Sequence, residues 1–172
     1  MRPFEMKDAT QISELINDIR VAQNLSRVPH PYPEGEAERW IGRQEEAFRE
    51  GTDCNFAVTL AETGEVMGSM GVHPNEDQLR AEVGYWLAVR HWGKGYATEA
   101  LREVIRFSFE DYGLQRVYAT HFANNPASGR VMEKVGMKFE GVLRLGISRF
   151  GELKDCVMRA IIKPDWERLQ DD

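Results

Sequence analysis

The sequence predicts an α+β fold built on a mixed sheet. Three observations carry this. Apolar residues recur at helical spacing up to residue 50 and at strand spacing from residue 55. A strand-like run ends in a glycine turn that opens a helix, and a further strand follows, as in a parallel βαβ unit. The last third reads as one short helix and then a hairpin.

Taken in order, Asp8 stands as an N-cap, and Ile12, Leu15, Ile16, Ile19 and Val21 predict a helix from about Ala9 to Leu25. Val28 to Pro33 holds three prolines and must be a loop. A second helix is expected from Glu34 to Glu50, with Trp40, Ile41 and Phe48 as apolar positions and Gly51 as its stop. Phe56 to Leu60 and Val66 to His73 form a hairpin around Glu62-Thr63-Gly64-Glu65. Leu79 to Val89 is the third strand of this meander. A helix from Tyr96 to Asp111 presents Ala97, Ala100, Leu101, Val104, Ile105, Phe107 and Phe109, and Gly113 ends it. Leu114 to Phe122 is the next strand. Pro126 starts a helix that runs to Val135 and is closed by Gly136. Met137 to Gly146 and Lys154 to Ile162 are the final strands.

The chain of 172 residues is long enough for one domain with a real core, and the expectation is a single domain over residues 1–172. No apolar run reaches a membrane span and no signal-peptide pattern opens the chain, so a cytoplasmic protein with no membrane partner is expected. A net charge of −6 argues against nucleic acid as partner and suits a cationic or amine-bearing substrate. Cys54 and Cys156 lie far apart and read as reduced buried thiols. The four histidines, His30, His73, His91 and His121, have no metal-like spacing, so no metal is expected.

The chemistry concentrates at Arg90-His91-Trp92-Gly93-Lys94-Gly95-Tyr96. Two glycines at a helix start leave backbone N–H groups free at the positive end of the helix dipole, which is an anion cradle. Lys94 is followed by Gly95 and not by Ser or Thr, which excludes a nucleoside-triphosphate loop. The turn follows a late strand, and the next strand ends Ala119-Thr120-His121-Phe122 without an acid, which excludes a dinucleotide fold.

Several separate segments, in one order, then resemble a single family. They are Arg2-Pro3-Phe4 with Asp8-Ala9, Glu82-Val83-Gly84-Tyr85-Trp86-Leu87, the Arg90-to-Gly95 turn with Tyr96-Ala97-Thr98-Glu99-Ala100, Asn125-Pro126-Ala127-Ser128, Glu133 to Met137, and Glu140-Gly141. Together they are similar to the GNAT superfamily of acetyl-CoA-dependent N-acetyltransferases, and within it to the ribosomal-protein-alanine N-acetyltransferases and their small-molecule relatives. The resemblance implies a mostly antiparallel sheet of six or seven strands, flanked by about four helices and splayed at a central parallel pair. It implies acetyl-CoA as cofactor and a primary amine, on a protein N-terminus or a small molecule, as acceptor.

Residue by residue, the resemblance implies that Leu87, Ala88 and Val89 carry the pantetheine arm. The amides of Arg90 to Gly95, with Gly93 and Lys94 between them, and of Tyr96, Ala97 and Thr98 would hold the pyrophosphate. The Arg90 and Lys94 side chains add charge there or are simply solvated. Asn125 matches the asparagine that bonds the cofactor arm, and a helix N-cap role is compatible with that. Glu82 is the candidate base, against the plain alternative of an exposed strand glutamate. A backbone N–H near Leu87 or Ala88 is the expected oxyanion donor. Ser128 is the candidate acid or thiol-side donor; the tyrosine that other branches place seven residues after the asparagine is Met132 here. Tyr85 and Tyr118 read as packing residues. His30, Tyr32 and His121 are acceptor-side candidates, Trp40 reads as core, and Asp155 as structural. Two departures stand out. The first strand is short, so a homodimer would cover that edge, and Met137 replaces the usual phenylalanine after Gly136. A non-catalytic acyl-CoA-binding module is the alternative reading, because fold does not fix function.

Overall fold

The computed structural model describes residues 1–170. Seven strands form one sheet: β1 (Arg2–Pro3), β2 (Cys54–Thr59), β3 (Val66–Pro74), β4 (Arg80–Leu87), β5 (Arg116–Phe122), β6 (Lys138–Arg149) and β7 (Glu152–Ile162). Their order is β1-β2-β3-β4-β5-β7-β6. Every neighbouring pair is antiparallel except β4 and β5, which run parallel. The helices are α1 (Ala9–Ile16), α2 (Ile19–Ala22), α3 (Glu36–Glu50), α4 (Tyr96–Glu110), α5 (Pro126–Lys134) and α6 (Lys163–Arg168).

The two faces of the sheet bury separate cores. On one face, Leu101, Val104, Ile105 and Phe109 of α4 and Met132 of α5 cover Val83, Leu87, Val117 and Ala119. Each large side chain fully removed from water contributes about 1.5–3 kcal/mol, so α4 is the main clamp on this side. On the other face Ile12 of α1 and Ala37 and Ile41 of α3 pack on Ala57 and Val66, with Trp86 at the margin. The alternation along β4 therefore sends Val83, Tyr85 and Leu87 toward α4 and α5, and Glu82, Gly84 and Trp86 toward α1 and α3.

Four expectations need correction. The long first helix breaks at Asn17-Asp18. Asn17 Oδ1 accepts from the Tyr32 N–H at 2.9 Å, and Asp18 accepts from the Arg20 N–H at 2.9 Å and so starts α2 afresh. Short polar side chains that bond the backbone compete with helix continuation. Asp8 donates no cap to α1; its carboxylate accepts from Arg2 at 2.7 and 2.9 Å and from the Glu5 N–H at 2.9 Å. The third strand stops at Leu87, because Val89–His91 closes into a 3-10 turn. The helix α6 was not foreseen. Pro164 opens it, and Trp166 packs 5.4 Å from the Phe109 ring.

The site depends on one feature of the sheet. β4 and β5 pair only at Arg80–Glu82 with Arg116–Tyr118. Beyond that, β4 stays on β3 as far as Leu87 and β5 stays on β7 as far as Phe122. The two strands part, and a gap opens through the sheet.

Candidate active site

The gap continues into a cleft of about 370 Å³. Its walls include Tyr85 and Leu87 from β4, His121 from β5, Asn125 and Ser128 at the start of α5, and Gly93, Gly95 and Tyr96 at the start of α4. Val21, Asn24 and Leu25 close one side.

Backbone parity decides what β4 offers the gap. Arg80 O accepts from Asn75 N–H and Ala88 N–H donates to Met67 O at 2.8 Å, so the even-numbered residues of β4 bond to β3. The odd-numbered ones turn their N–H and C=O away from β3, toward β5. Beyond the last paired residue these are Tyr85 and Leu87, whose amides face an open gap. Of the two expected oxyanion donors, the Ala88 N–H is already taken, which leaves Leu87. The Leu87 carbonyl accepts from the Trp92 indole at 2.7 Å.

The glycine turn forms the end of the cleft. Gly93 has φ +73° and Gly95 φ +91°, conformations that non-glycine residues rarely adopt. A Cβ on either would meet no protein atom within 4 Å, so the space above the turn is empty. The His91, Trp92 and Thr98 amides are bonded to Ala88, Val89 and Gly95 carbonyls. Those of Gly93, Lys94, Gly95, Tyr96 and Ala97 donate to no backbone carbonyl among the described residues. The Arg90 amide likewise has no carbonyl partner, so of the Arg90-to-Thr98 span expected from sequence only the His91, Trp92 and Thr98 amides are taken. Arg90 is ion-paired with Glu65 at the entry to β3, and its Nε donates to His91 Nε2 at 3.2 Å. That pairing holds Glu65 below the usual carboxylate range. Arg90, Lys94, Ala88 and Val89 are not among the cleft-lining residues. The cations that do line it, Arg130 and Lys134, lie one turn apart on α5 and were missed; their i,i+4 spacing after Asn125 was the available signal.

Across the gap, Asn125 Oδ1 accepts from the Ser128 N–H at 3.3 Å and caps α5, which leaves its Nδ2 for a ligand. Ser128 Oγ lies 2.9 Å from the Tyr85 hydroxyl, and that hydroxyl also reaches the Ser128 carbonyl at 3.1 Å. Tyr85, read as packing, is thus bonded directly to Ser128. Burial pushes its phenol up to about 12, so it remains a protonated donor at neutral pH. His121 is buried, donates from Nδ1 to the Phe122 carbonyl at 2.9 Å, and leaves Nε2 without a partner against Gly129.

Glu82 lies beside the cleft, not in its lining. Its Oε2 accepts from Arg27 at 3.0 Å and its Oε1 from the Thr120 hydroxyl at 3.3 Å. Thr120 and Gly84, its neighbours, line the cleft. His30 and Tyr32 are not brought there. His30 meets Phe150 edge-on at 6.1 Å, and Tyr32 packs with α1 and α3 against the second core. Trp40 joins Tyr32 there and meets Phe4 edge-on at 4.9 Å. Asp155 accepts from the Leu145 N–H at 2.8 Å and fixes the bulge in β6. Cys54 and Cys156 are free and buried.

The arrangement is matched in known proteins. The chain is 33% identical to the Bacillus subtilis protein named putative ribosomal N-acetyltransferase YdaF, over 97% of this chain and 92% of that one. It is 27% identical to the [ribosomal protein uS5]-alanine N-acetyltransferase of Escherichia coli, over 80% of this chain and 71% of that one. A solved acetyltransferase of the GNAT family from Bacillus anthracis superposes with a TM-score of 0.84 at 28% identity, covering 95% of this chain and 93% of that one. A family profile described as an acetyltransferase (GNAT) domain matches residues 1–138, which spans β1 to the start of β6 and includes both the glycine turn and Ser128. With its parted parallel strands, its amide cradle and this match, the chain belongs to the GNAT acetyltransferases, which take their acetyl group from acetyl-CoA.

Proposed function

We propose that the protein, as one domain in the cytoplasm, transfers the acetyl group of acetyl-CoA to a primary amine by direct attack. The acceptor amine is carried by a protein N-terminus or a small molecule. The observation that carries this is the gap between β4 and β5, because groups suited to the cofactor, the thioester carbonyl, the leaving thiol and a cationic acceptor lie in or beside it. The residues present fit the cofactor. Five unpaired amides and an empty volume above Gly93 and Gly95 suit a pyrophosphate. Arg130 and Lys134 supply the charge that Arg90, held by Glu65, does not. The outward amide of Tyr85 suits an extended arm that adds as a strand, and that of Leu87 remains for the thioester carbonyl.

When bound, acetyl-CoA supplies the thioester and the leaving thiolate. The Leu87 N–H donates to the carbonyl oxygen as negative charge develops on it. Asn125 Nδ2 orients the arm from the opposite wall. Ser128 serves the sulfur side. The Tyr85 hydroxyl holds Ser128 in place and keeps its own proton, while the Ser128 hydroxyl can give its proton to the leaving sulfur and take one from the attacking nitrogen. Glu82 meets a cationic acceptor: the Arg27 guanidinium already occupies its carboxylate as such a group would. His121 borders the same space from β5. His30 and Tyr32 support the loop behind Arg27 without touching the acceptor.

The names of the curated relatives point to protein N-termini, and the negative net charge suits a basic peptide as well as a polyamine. Thiol release from acetyl-CoA, followed over a panel of Ala-initiated basic peptides, polyamines and amino acid amides, tests the reading. Turnover with one class identifies the acceptor. Tight CoA binding with no turnover on any amine supports the non-catalytic alternative instead.

A further inference from the structure

Gly71 of β3 and Gly84 of β4 face each other across the strand pair, on the sheet side that carries Glu82. Neither has a side chain, so a bare strip crosses the sheet there. The His73 ring lies over it. A Cβ on Gly71 would stand 3.0 Å from His73 Cε1, and one on Gly84 would stand 3.4 Å from His73 Nε2. The imidazole therefore points Nε2 across Gly84, which lines the cleft, while His73 itself, like Glu82, lies beside the lining.

The other ring nitrogen is fixed. His73 Nδ1 is hydrogen-bonded to the carboxylate of Asp53, on the chain entering β2, and both side chains are half-buried. A carboxylate oxygen accepts here, so in the neutral imidazole Nδ1 carries the hydrogen and Nε2 presents the lone pair. Nε2 has no hydrogen-bond partner among the described residues, and it is not one of the buried unsatisfied atoms, so it is open to the space before it. The charged groups around the ring are Asp53, Glu82 directly across on β4, and Arg27, which reaches Glu82 from the loop after α2. From the α3 side the neighbours are the neutral Asn55, over Gly71, and Gln44, to which Asn55 donates at 2.9 Å.

We infer that His73 takes the proton of the attacking amine, with Asp53 as the positioning residue that fixes its tautomer. This rests on the acetyl-transfer reading and adds a proton acceptor that the sequence did not reveal. Glu82 has both carboxylate oxygens engaged, by Arg27 and Thr120, which suits holding a cation better than removing its proton. An imidazole is also nearer in basicity to an amine than a carboxylate is. The balance closes. An ammonium gives one proton to His73 Nε2, which returns it to water. The freed nitrogen forms the N–C bond. The C–S bond breaks with its electron pair on sulfur, and sulfur receives the second amine proton through Ser128. A histidine–carboxylate pair of this kind, with one nitrogen anchored and the other open, is a general-base arrangement irrespective of fold.

The test uses the full-length protein with CoA affinity measured by calorimetry alongside the pH–rate profile of acetyl transfer. His73→Gln is expected to lower kcat/KM at neutral pH on the order of 100-fold, within the usual range for general-base catalysis. The loss should shrink as pH rises and free amine accumulates, and CoA affinity should not change. Asp53→Asn should lower the rate with the same pH trend, since an amide can donate to Nδ1 and reverse the tautomer. A His73→Gln enzyme with the wild-type profile overturns the inference while leaving acetyl transfer intact. Absence of turnover in the wild type, with CoA bound, overturns the acetyl-transfer reading instead. A readout independent of turnover accompanies both. In 15N imidazole NMR, His73 should show the Nδ1–H form, and its Nε2 resonance should move when butylamine is added to the CoA complex. An Nε2–H form, or no response to the amine, overturns the assignment.

Discussion

Replacing Gly95 by Val separates the cradle from the rest of the site. Gly95 sits at φ +91° as the residue before α4. A β-branched residue held there costs about 1–3 kcal/mol of backbone strain. In a chain of this size that lowers Tm by roughly 2–4 °C per kcal/mol, so the fall is on the order of 2–12 °C. No protein atom lies within 4 Å of the added Cβ, so overpacking adds nothing to this loss. The effect on binding is larger, because the side chain enters the empty space above the turn, beside the unpaired amides of Gly93, Gly95, Tyr96 and Ala97. A hydrogen bond to a charged group contributes about 1.5–3 kcal/mol. Losing two of them costs about 3–6 kcal/mol, or roughly 10²- to 10⁴-fold in CoA affinity. Calorimetric titration of CoA measures this, and pantetheine, which lacks the pyrophosphate, is the control. CoA binding should collapse while pantetheine binding changes little. Unchanged CoA affinity in folded Gly95→Val, or an equal loss for both ligands, would refute the phosphate cradle.

Glu82→Gln should raise KM for a cationic amine by about tenfold, equivalent to about 1.4 kcal/mol, with CoA affinity unchanged; steady-state kinetics that show an unaltered KM would remove Glu82 from the acceptor site. Arg130→Ala combined with Lys134→Ala should weaken CoA by about 10- to 100-fold, with a smaller dependence on salt than the wild type shows; calorimetry at two ionic strengths reads both. Asp8→Asn removes the paired acceptor of Arg2 and of the Glu5 N–H, and thermal unfolding should show a loss of about 1–3 kcal/mol. The Arg2 hydrogen bond holds the Asp8 carboxyl below its ordinary value. The stability it contributes is therefore complete above about pH 4, the unfolded range, and is lost as pH falls through the lowered folded value. Acid titrations of wild type and Asp8→Asn should converge below that point.

Much of this protein was written locally along its chain. The change from helical to strand spacing near Asn55, the glycine pair that opens α4 and Pro126 at the start of α5 each reflect short-range rules, and the elements formed where those rules put them. The cradle was legible for the same reason, since its amides and its dipole come from consecutive residues. Two local rivals outweighed the periodic pattern. Asn17 and Asp18 broke a helix whose apolar spacing ran on, and the turn after Leu87 closed earlier than β-rich composition suggested.

The chemistry beyond the cradle was decided by pairing between distant residues. Which β4 amide is free depends on its register with β3, where Ala88 is bonded to Met67 and Leu87 is not. Tyr85 became a partner of Ser128, 43 residues away, only because β4 and β5 part and α5 crosses the gap. Asp53 and His73 meet because β2 and β3 are antiparallel neighbours, and the ring finds room because two glycines face each other beneath it. Side-chain type can be read from a sequence, but which lone pair or proton remains unengaged is a property of packing. By itself the sequence determined the scaffold and the acetyl donor; only the tertiary structure decided which groups are left free to act on it.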